Sequence, residues 1–377
     1  MIRYACSLLA TVLFVACSTG GANAPDADRA GQWSAEKANA WYAEQPWLAG
    51  ANFGPSTAIN QIAMWQKETF DAKTIDRELG YAESLGFNTM RVFLHHLVWQ
   101  QDPKGYLERI DKYLNMADRH HLKTMFVLLD DVWDPSPALG KQRDPKPGVH
   151  NSGWVQSPGK EILGNPDRHA ELEPYIKGII DRYKNDSRVV IWDLYNEPGN
   201  PNVDSYGPVE LLDKKMYALM LLKKVFTWAR EINPSQPLTV AIWDADWSKP
   251  ETFTELHRYE IEASDIISFH NYDPLPRVML AVDYLKKFGR PIVCTEYMAR
   301  PMKNTFESIM PYLKEQKIGA YNWGFVAGKT QTNYPWDSWK KPYKTEPRLW
   351  FHDIFRSDGT PYIAREVRFI KKMTGKN

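Results

Sequence analysis

Eight short apolar, β-prone runs recur along this chain, and amphipathic segments of helical period lie between them. The runs are Leu48–Phe53, Thr89–Leu94, Thr124–Leu129, Val189–Tyr195, Leu238–Trp243, Ile266–His270, Ile292–Glu296 and Ala320–Phe325. Thr74–Leu85, Leu107–Arg119, Leu172–Tyr183, Leu211–Glu231 and Phe306–Gln316 carry apolar residues at helical spacing. Strands separated by helices cannot pair as tight hairpins, so each crosses back to lie parallel to its neighbour. Eight such units is the number that closes a ring. The sequence therefore predicts the α/β class, as a single-domain (β/α)8 TIM barrel. Of the 377 residues 43% are hydrophobic, enough to fill so large a core.

Two of the runs end on glutamate. Ile191-Trp192-Asp193-Leu194-Tyr195-Asn196-Glu197-Pro198 and Pro291-Ile292-Val293-Cys294-Thr295-Glu296-Tyr297 each carry a carboxylate to the C-terminal end of a strand. That end is where barrel active sites are built. Bringing a carboxylate to the end of a buried strand is costly unless it has chemistry to perform. Two of them on one scaffold equip a protein for glycosidic cleavage, one protonating the leaving oxygen while the other attacks or activates water. The bland reading of either residue is a strand-end glutamate capping the turn that follows. Glu197 and Glu296 fall at the fourth and seventh strands. Their separation gives about 33 residues per unit, close to ~250 residues shared among eight. Long insertions follow the third strand (Asp130–Pro166, rich in Pro, Gly and Trp) and the eighth (Val326–Arg348, with Trp336 and Trp339), both on the active face.

The composition narrows the partners. Forty-seven basic and 46 acidic side chains leave a formal net charge of +1, which disfavours a nucleic acid partner. Fifteen Trp and 19 Tyr suit a protein that stacks on sugar rings, although many of these rings belong to the core. The N-terminus reads as a targeting segment: Arg3, then an apolar run from Ala5 to Ala16 that is too short to span a bilayer. Leu13-Phe14-Val15-Ala16-Cys17 resembles a bacterial lipobox, which makes 1–16 a signal peptide, Cys17 a lipidated thiol and 17–32 a linker to a catalytic domain over 33–377. Ala22-Asn23-Ala24 is a competing cleavage site of the ordinary kind. The lipobox is favoured because Ser18-Thr19-Gly20-Gly21 then serves as a flexible tether. Both readings export the protein, to the periplasm or outer membrane as a lipoprotein or as a soluble secreted enzyme. Of the three cysteines Cys6 and Cys17 belong to the signal region, so Cys294 is left without an intramolecular partner and reads as a core residue.

Five motifs now fall in order at strand ends: Arg91 in Asn88-Thr89-Met90-Arg91-Val92, Asn196-Glu197-Pro198, His270-Asn271-Tyr272, Glu296, and Trp323 in Tyr321-Asn322-Trp323-Gly324. In this the chain, from about Trp47 to Lys372, resembles glycoside hydrolase family 5, a group of retaining β-glycosidases on the same barrel. The resemblance implies Glu197 as general acid/base and Glu296 as nucleophile. It also implies Arg91 and Tyr272 as supports for the ionised nucleophile, Asn196 at the sugar 2-hydroxyl, His270 near the acid/base and Trp323 as a platform beneath the cleaved ring. The expected partner is an oligo- or polysaccharide, with no cofactor, and with membrane contact only through the lipid anchor. The family pattern also has a histidine near the end of strand three, where this chain reads Leu129-Asp130-Asp131-Val132-Trp133. Either His95 or His96 takes that place from the neighbouring strand, or the subsite is built differently. The His95-His96 pair lacks the further ligands of a metal site.

The implied activity is hydrolysis of a β-linked glycan, a β-mannoside ahead of β-glucan or β-xylan. A transglycosylase using the same glutamates and a non-catalytic glycan-binding lipoprotein are the alternatives. Endo or exo action stays open, because the insertions after strands three and eight could wall off the cleft or extend it.

Overall fold

The computed structural model describes residues 30–376. The expected signal peptide, the lipobox Cys17 and all but the last residues of the linker lie outside the described residues.

The strands are β1 (Ala49–Phe53), β2 (Thr89–Phe93), β3 (Lys123–Asp130), β4 (Val189–Asn196), β5 (Leu238–Thr239), β6 (Ala241–Ile242), β7 (Ile267–His270), β8 (Ile292–Tyr297) and β9 (Gly319–Asn322). Every pairing between them is parallel, in the order β5-β4-β3-β2-β1-β9-β8-β7-β6. The fifth predicted run is divided at Val240 into β5 and β6. Its first half pairs with β4 and its second with β7, so this one interrupted strand closes the ring and β9 is the barrel's eighth strand. The fold is the expected (β/α)8 barrel. All but one of the strand residues are buried, as in a sheet covered on both faces.

The helices follow the predicted periodicity with small shifts at their ends. The segment expected from Leu107 starts earlier, at Pro103, because Asp102 accepts the Gly105 N–H as cap and proline suits the first turn. A helix over Ala35–Ala43, not singled out in the sequence, covers the N-terminal mouth of the barrel. There Trp33, Leu48, Met125, Ile191, Val293 and Tyr321 form an apolar plug, and Asp265 ties the plug to the wall through Trp33 N (2.9 Å) and Arg230 (3.1 Å). Cys294 is buried in β8 and unpaired. The plugged end leaves the opposite mouth, at the C-terminal strand ends, for polar groups.

Candidate active site

The residues at that mouth are placed by strand register. Arg91 on β2 stands beside Asn52 on β1, Asp130 on β3 beside Asn196 on β4, and His270 on β7 beside Glu296 on β8. The ladder slips between Phe269 and His270 and between Cys294 and Tyr297. Such irregularities at a barrel rim re-aim a side chain, here that of Glu296. Glu197 follows β4 directly with φ +45°, a left-handed backbone that non-glycine residues rarely adopt. Strain of this kind persists where the surroundings over-determine it.

Arg91 organises the floor. It is wholly buried, and it donates to Asp193 through Nε (3.0 Å) and Nη2 (2.8 Å), to Asn52 (2.8 Å), to Glu296 Oε1 (2.9 Å) and to Asn196 Oδ1 (2.7 Å). A buried guanidinium needs this many acceptors, and removing one charged partner costs about 3–5 kcal/mol. Asn196, with its carbonyl on Arg91, donates through Nδ2 to Asp130 Oδ1 (2.9 Å). Its amide is thus fixed and cannot flip.

The two glutamates share their neighbours unequally. Glu296 Oε2 accepts from the Tyr272 hydroxyl (2.6 Å) while Oε1 faces Arg91. Glu197 bonds His270 Nδ1 through Oε1 (2.8 Å) and accepts from Asn200 through Oε2 (2.7 Å). His270 Nδ1 also lies 3.5 Å from Glu296. One oxygen of each carboxylate and a His270 nitrogen lie within 4.8 Å of one another. Burial pushes the Glu197 carboxyl up to about 7, which Asn200 and Arg91 only partly offset. Burial also raises Glu296, with His270 and Arg91 pulling the other way and Glu197 adding repulsion. His270 is pushed down to about 3 by burial, so its contact with Glu197 joins two neutral groups when the acid is protonated, rather than an ion pair. The same three groups could ligate a cation, but Arg91 already supplies positive charge 2.9 Å from Glu296.

Above the carboxylates lies a cavity of about 430 Å³ that receives Asn196, Glu197, His270, Tyr272, Glu296 and Trp323. All the sequence-predicted site residues among the described ones therefore converge. Arg91 lies beneath the cavity and touches it only through the others. Trp323 stands edge-on to Phe93 (5.9 Å) and Trp154 (6.0 Å), and Tyr272 stands edge-on to Trp336 (5.1 Å).

Neither His95 nor His96 fills the strand-three place. Both are buried behind the wall, His95 Nε2 on the Gln156 carbonyl (3.0 Å) and His96 Nδ1 on the Ser157 hydroxyl (2.9 Å), and burial depresses both rings. The subsite is built differently. Asp130 accepts from Asn196, Trp154 (2.6 Å), Gln61 (2.9 Å) and Val132 N (3.0 Å), and burial still lifts it to about 7. Trp154, Trp133 and His150 from the long β3 loop reach the cavity themselves. Sequence reasoning missed Asp130, Asp193 and Asn52 as parts of the site. An aspartate inside the apolar run of β4 was the available signal, since such a charge demands a buried partner.

Known proteins resemble this chain in sequence and in fold. A family model described as Cellulase (glycosyl hydrolase family 5) matches residues 49–328. The chain is 22% identical over 154 residues to a protein named probable mannan endo-1,4-beta-mannosidase A from Aspergillus niger, a match spanning 36% of this chain and 38% of that relative. Its fold is similar to that of a GH5_18 protein from Bifidobacterium longum solved with Manβ1-4GlcNAc (TM-score 0.58, 13% identity, 87% of this chain and 78% of that one). It is likewise similar to a hyperthermostable endo-1,4-beta-D-mannanase from Thermotoga petrophila (TM-score 0.53, 13% identity, 87% and 99%). At those identities the likeness to solved structures is one of fold.

Proposed function

The chain belongs to glycosyl hydrolase family 5 and is an O-glycosyl hydrolase, and from that premise we propose that it cleaves a β-linked glycan with retention, using Glu296 as nucleophile and Glu197 as acid/base. The observation that carries this reading is the approach of the two carboxylates to within 4.8 Å at their nearest oxygens. Retaining enzymes hold their carboxyl groups about 5–5.5 Å apart and inverting ones ~6.5–9.5 Å, leaving room for a water.

Their surroundings support the division of labour. Glu197, raised to about 7, still carries its proton near neutrality and gives it to the leaving oxygen as that C–O bond breaks. Glu296 attacks the anomeric carbon, and Arg91 with the Tyr272 hydroxyl favours its ionised form. A water then displaces Glu296, losing its proton to the now ionised Glu197, which restores both groups. Asn196 has one amide hydrogen on Asp130 and the other left for the sugar 2-hydroxyl, a contact that strengthens toward the oxocarbenium-like transition state. The Trp323 face is the platform for the ring. A sugar hydroxyl in place of water would give transglycosylation from the same covalent intermediate.

A β-mannoside is the favoured substrate, ahead of β-glucan and β-xylan, in line with the mannanase-like relatives. We propose export as a lipoprotein anchored through Cys17, with the barrel working on glycans in the periplasm or at the outer membrane. The test is product analysis on β-mannan, β-glucan, β-xylan and N-glycan core oligosaccharides, with the anomer followed by NMR during the first minutes. Initial release of the α-anomer from a β-linked substrate would rule out the double-displacement route.

A further inference from the structure

The strand order puts β4 and β9 on opposite sides of the barrel, so the proton donor Glu197 and the platform Trp323 face each other across the cavity. A general acid sits where the leaving group departs, which makes the Glu197 side the aglycone side and the Trp323 side the place of the non-reducing sugar. The two sides are built differently. Beyond Glu197 the cavity opens between Trp243, Trp247 and the loop that carries Val203, a residue 72% exposed.

Beyond Trp323 it is shut. The loops after β1, β3 and β9 are sewn together by backbone bonds: Lys329 N to Ser56 O (2.9 Å), Asn151 N to Thr330 O (2.7 Å) and Tyr343 N to Gly148 O (3.0 Å). Side chains reinforce the seam. His150 N donates to the Ser338 hydroxyl (2.9 Å), Trp339 Nε1 donates to the His150 carbonyl (2.8 Å), and Trp133 stacks on Trp339 at 5.6 Å. Two glycines permit the approach. A Cβ on Gly148 would stand 1.9 Å from the Tyr343 carbonyl oxygen, and one on Gly328 would stand 2.3 Å from that of Ser56. Behind Trp323 and Trp154 the remaining gap is about 30 Å³. That is room for about two waters, far short of a sugar ring.

We propose that this sealed wall makes the protein exo-acting: its cavity accepts one terminal, non-reducing sugar and the enzyme releases that residue as a monosaccharide. His150 supplies a polar group at the end of the pocket. Its Nδ1 donates to the Tyr334 carbonyl (2.7 Å), which leaves Nε2 as a lone-pair acceptor on a ring that borders the cavity. The hydroxyls of a chain terminus meet such a wall, whereas a further sugar on that side would have to displace it.

The proposal rests on the glycosidase reading above, and one experiment separates their failures. The wild-type protein is given tetrasaccharide alditols of the sugar series that it cleaves in the substrate panel, together with the same compounds methylated at O4 of the non-reducing end. Monosaccharide and trisaccharide alditol should be the only products from the first time points. The methylated compounds should react about 10–200-fold more slowly, the scale on which one extra carbon is refused by a closed pocket. Disaccharide at the first time points means internal cutting and overturns exo action while leaving the glycosidase reading intact. Inactivity on every member of the panel overturns both. Gly148→Val and Gly328→Val, with folding checked by thermal melting, should open the seam and add internal products. Folded variants that still release monosaccharide alone would overturn the assignment of exo action to this seam.

Discussion

The ends of β4 and β8 deliver the same side chain to the same cavity, yet they are built as opposites. At β8 the ladder slips and hands Glu296 to a guanidinium and a phenol, two donors that reward ionisation. At β4 the backbone turns left-handed and sets Glu197 against His270, which burial keeps neutral, and an amide, with no cation in direct contact. Burial raises both carboxyls. What differs is how much each neighbourhood returns to the charged form. On the roles proposed above, these partners are what set two identical residues apart as nucleophile and acid.

The largest effect that tests this contrast is loss of the nucleophile. Glu296→Ala should reduce turnover roughly 10⁴-fold or more on every substrate, since no covalent intermediate can form. Glu197→Ala should cost less, about 10²–10⁴-fold, and least on aryl glycosides whose leaving groups need little protonation. Azide should restore part of its rate and give a β-glycosyl azide. A β-glycosyl azide from Glu296→Ala, with an α-glycosyl azide from Glu197→Ala, would show the two strand ends to be assigned the wrong way round.

Much of the layout behind this contrast was legible before the fold was known, because the strand ends of a barrel gather at one mouth. Arg91, Asn196, Glu197, His270, Tyr272, Glu296 and Trp323 meet as their positions on the strands require. The division of the fifth strand at Val240 was not legible, since Leu238–Trp243 reads as one apolar run and only closure of the ring decides which half pairs with which neighbour. The pairing of Asp193 with Arg91 was half legible: a charge in a buried run announces a partner without naming it. The β3 loop was opaque. Its Pro, Gly and Trp residues signalled function, but that Trp154 hangs on Asp130 and that His95 and His96 turn away to Gln156 and Ser157 depends on contacts between loops far apart in sequence.

A smaller effect isolates the β8 side. Tyr272→Phe removes the 2.6 Å hydrogen bond to Glu296 and keeps the ring against Trp336. A bond to a charged group is worth about 1.5–3 kcal/mol, so kcat/KM should fall roughly 10–100-fold. That bond lowers the Glu296 pKa, so losing it raises the pKa and moves the acid limb of the pH–rate profile to higher pH. The bell should narrow from its acidic side. An acid limb that stays in place would show that Tyr272 serves binding rather than ionisation.

The smallest expected effect isolates the β4 side and runs the other way. In the unmodified protein the alkaline limb should fall near pH 7, because the proton that Glu197 must donate is lost there. Asn200 donates to Glu197 Oε2 at 2.7 Å and so favours the ionised form. In Asn200→Ala the carboxylate loses that donor, its proton is held more tightly, and the alkaline limb moves to higher pH by up to about one unit, each unit being ~1.4 kcal/mol. The acid limb, set by Glu296, should stay where it is, since Asn200 does not touch that residue. The bell should therefore widen, and widen from the alkaline side alone, with only a few-fold change in the maximal rate. Movement of the acid limb instead would mean that Glu296 donates the proton and would dissolve the contrast between the two strand ends.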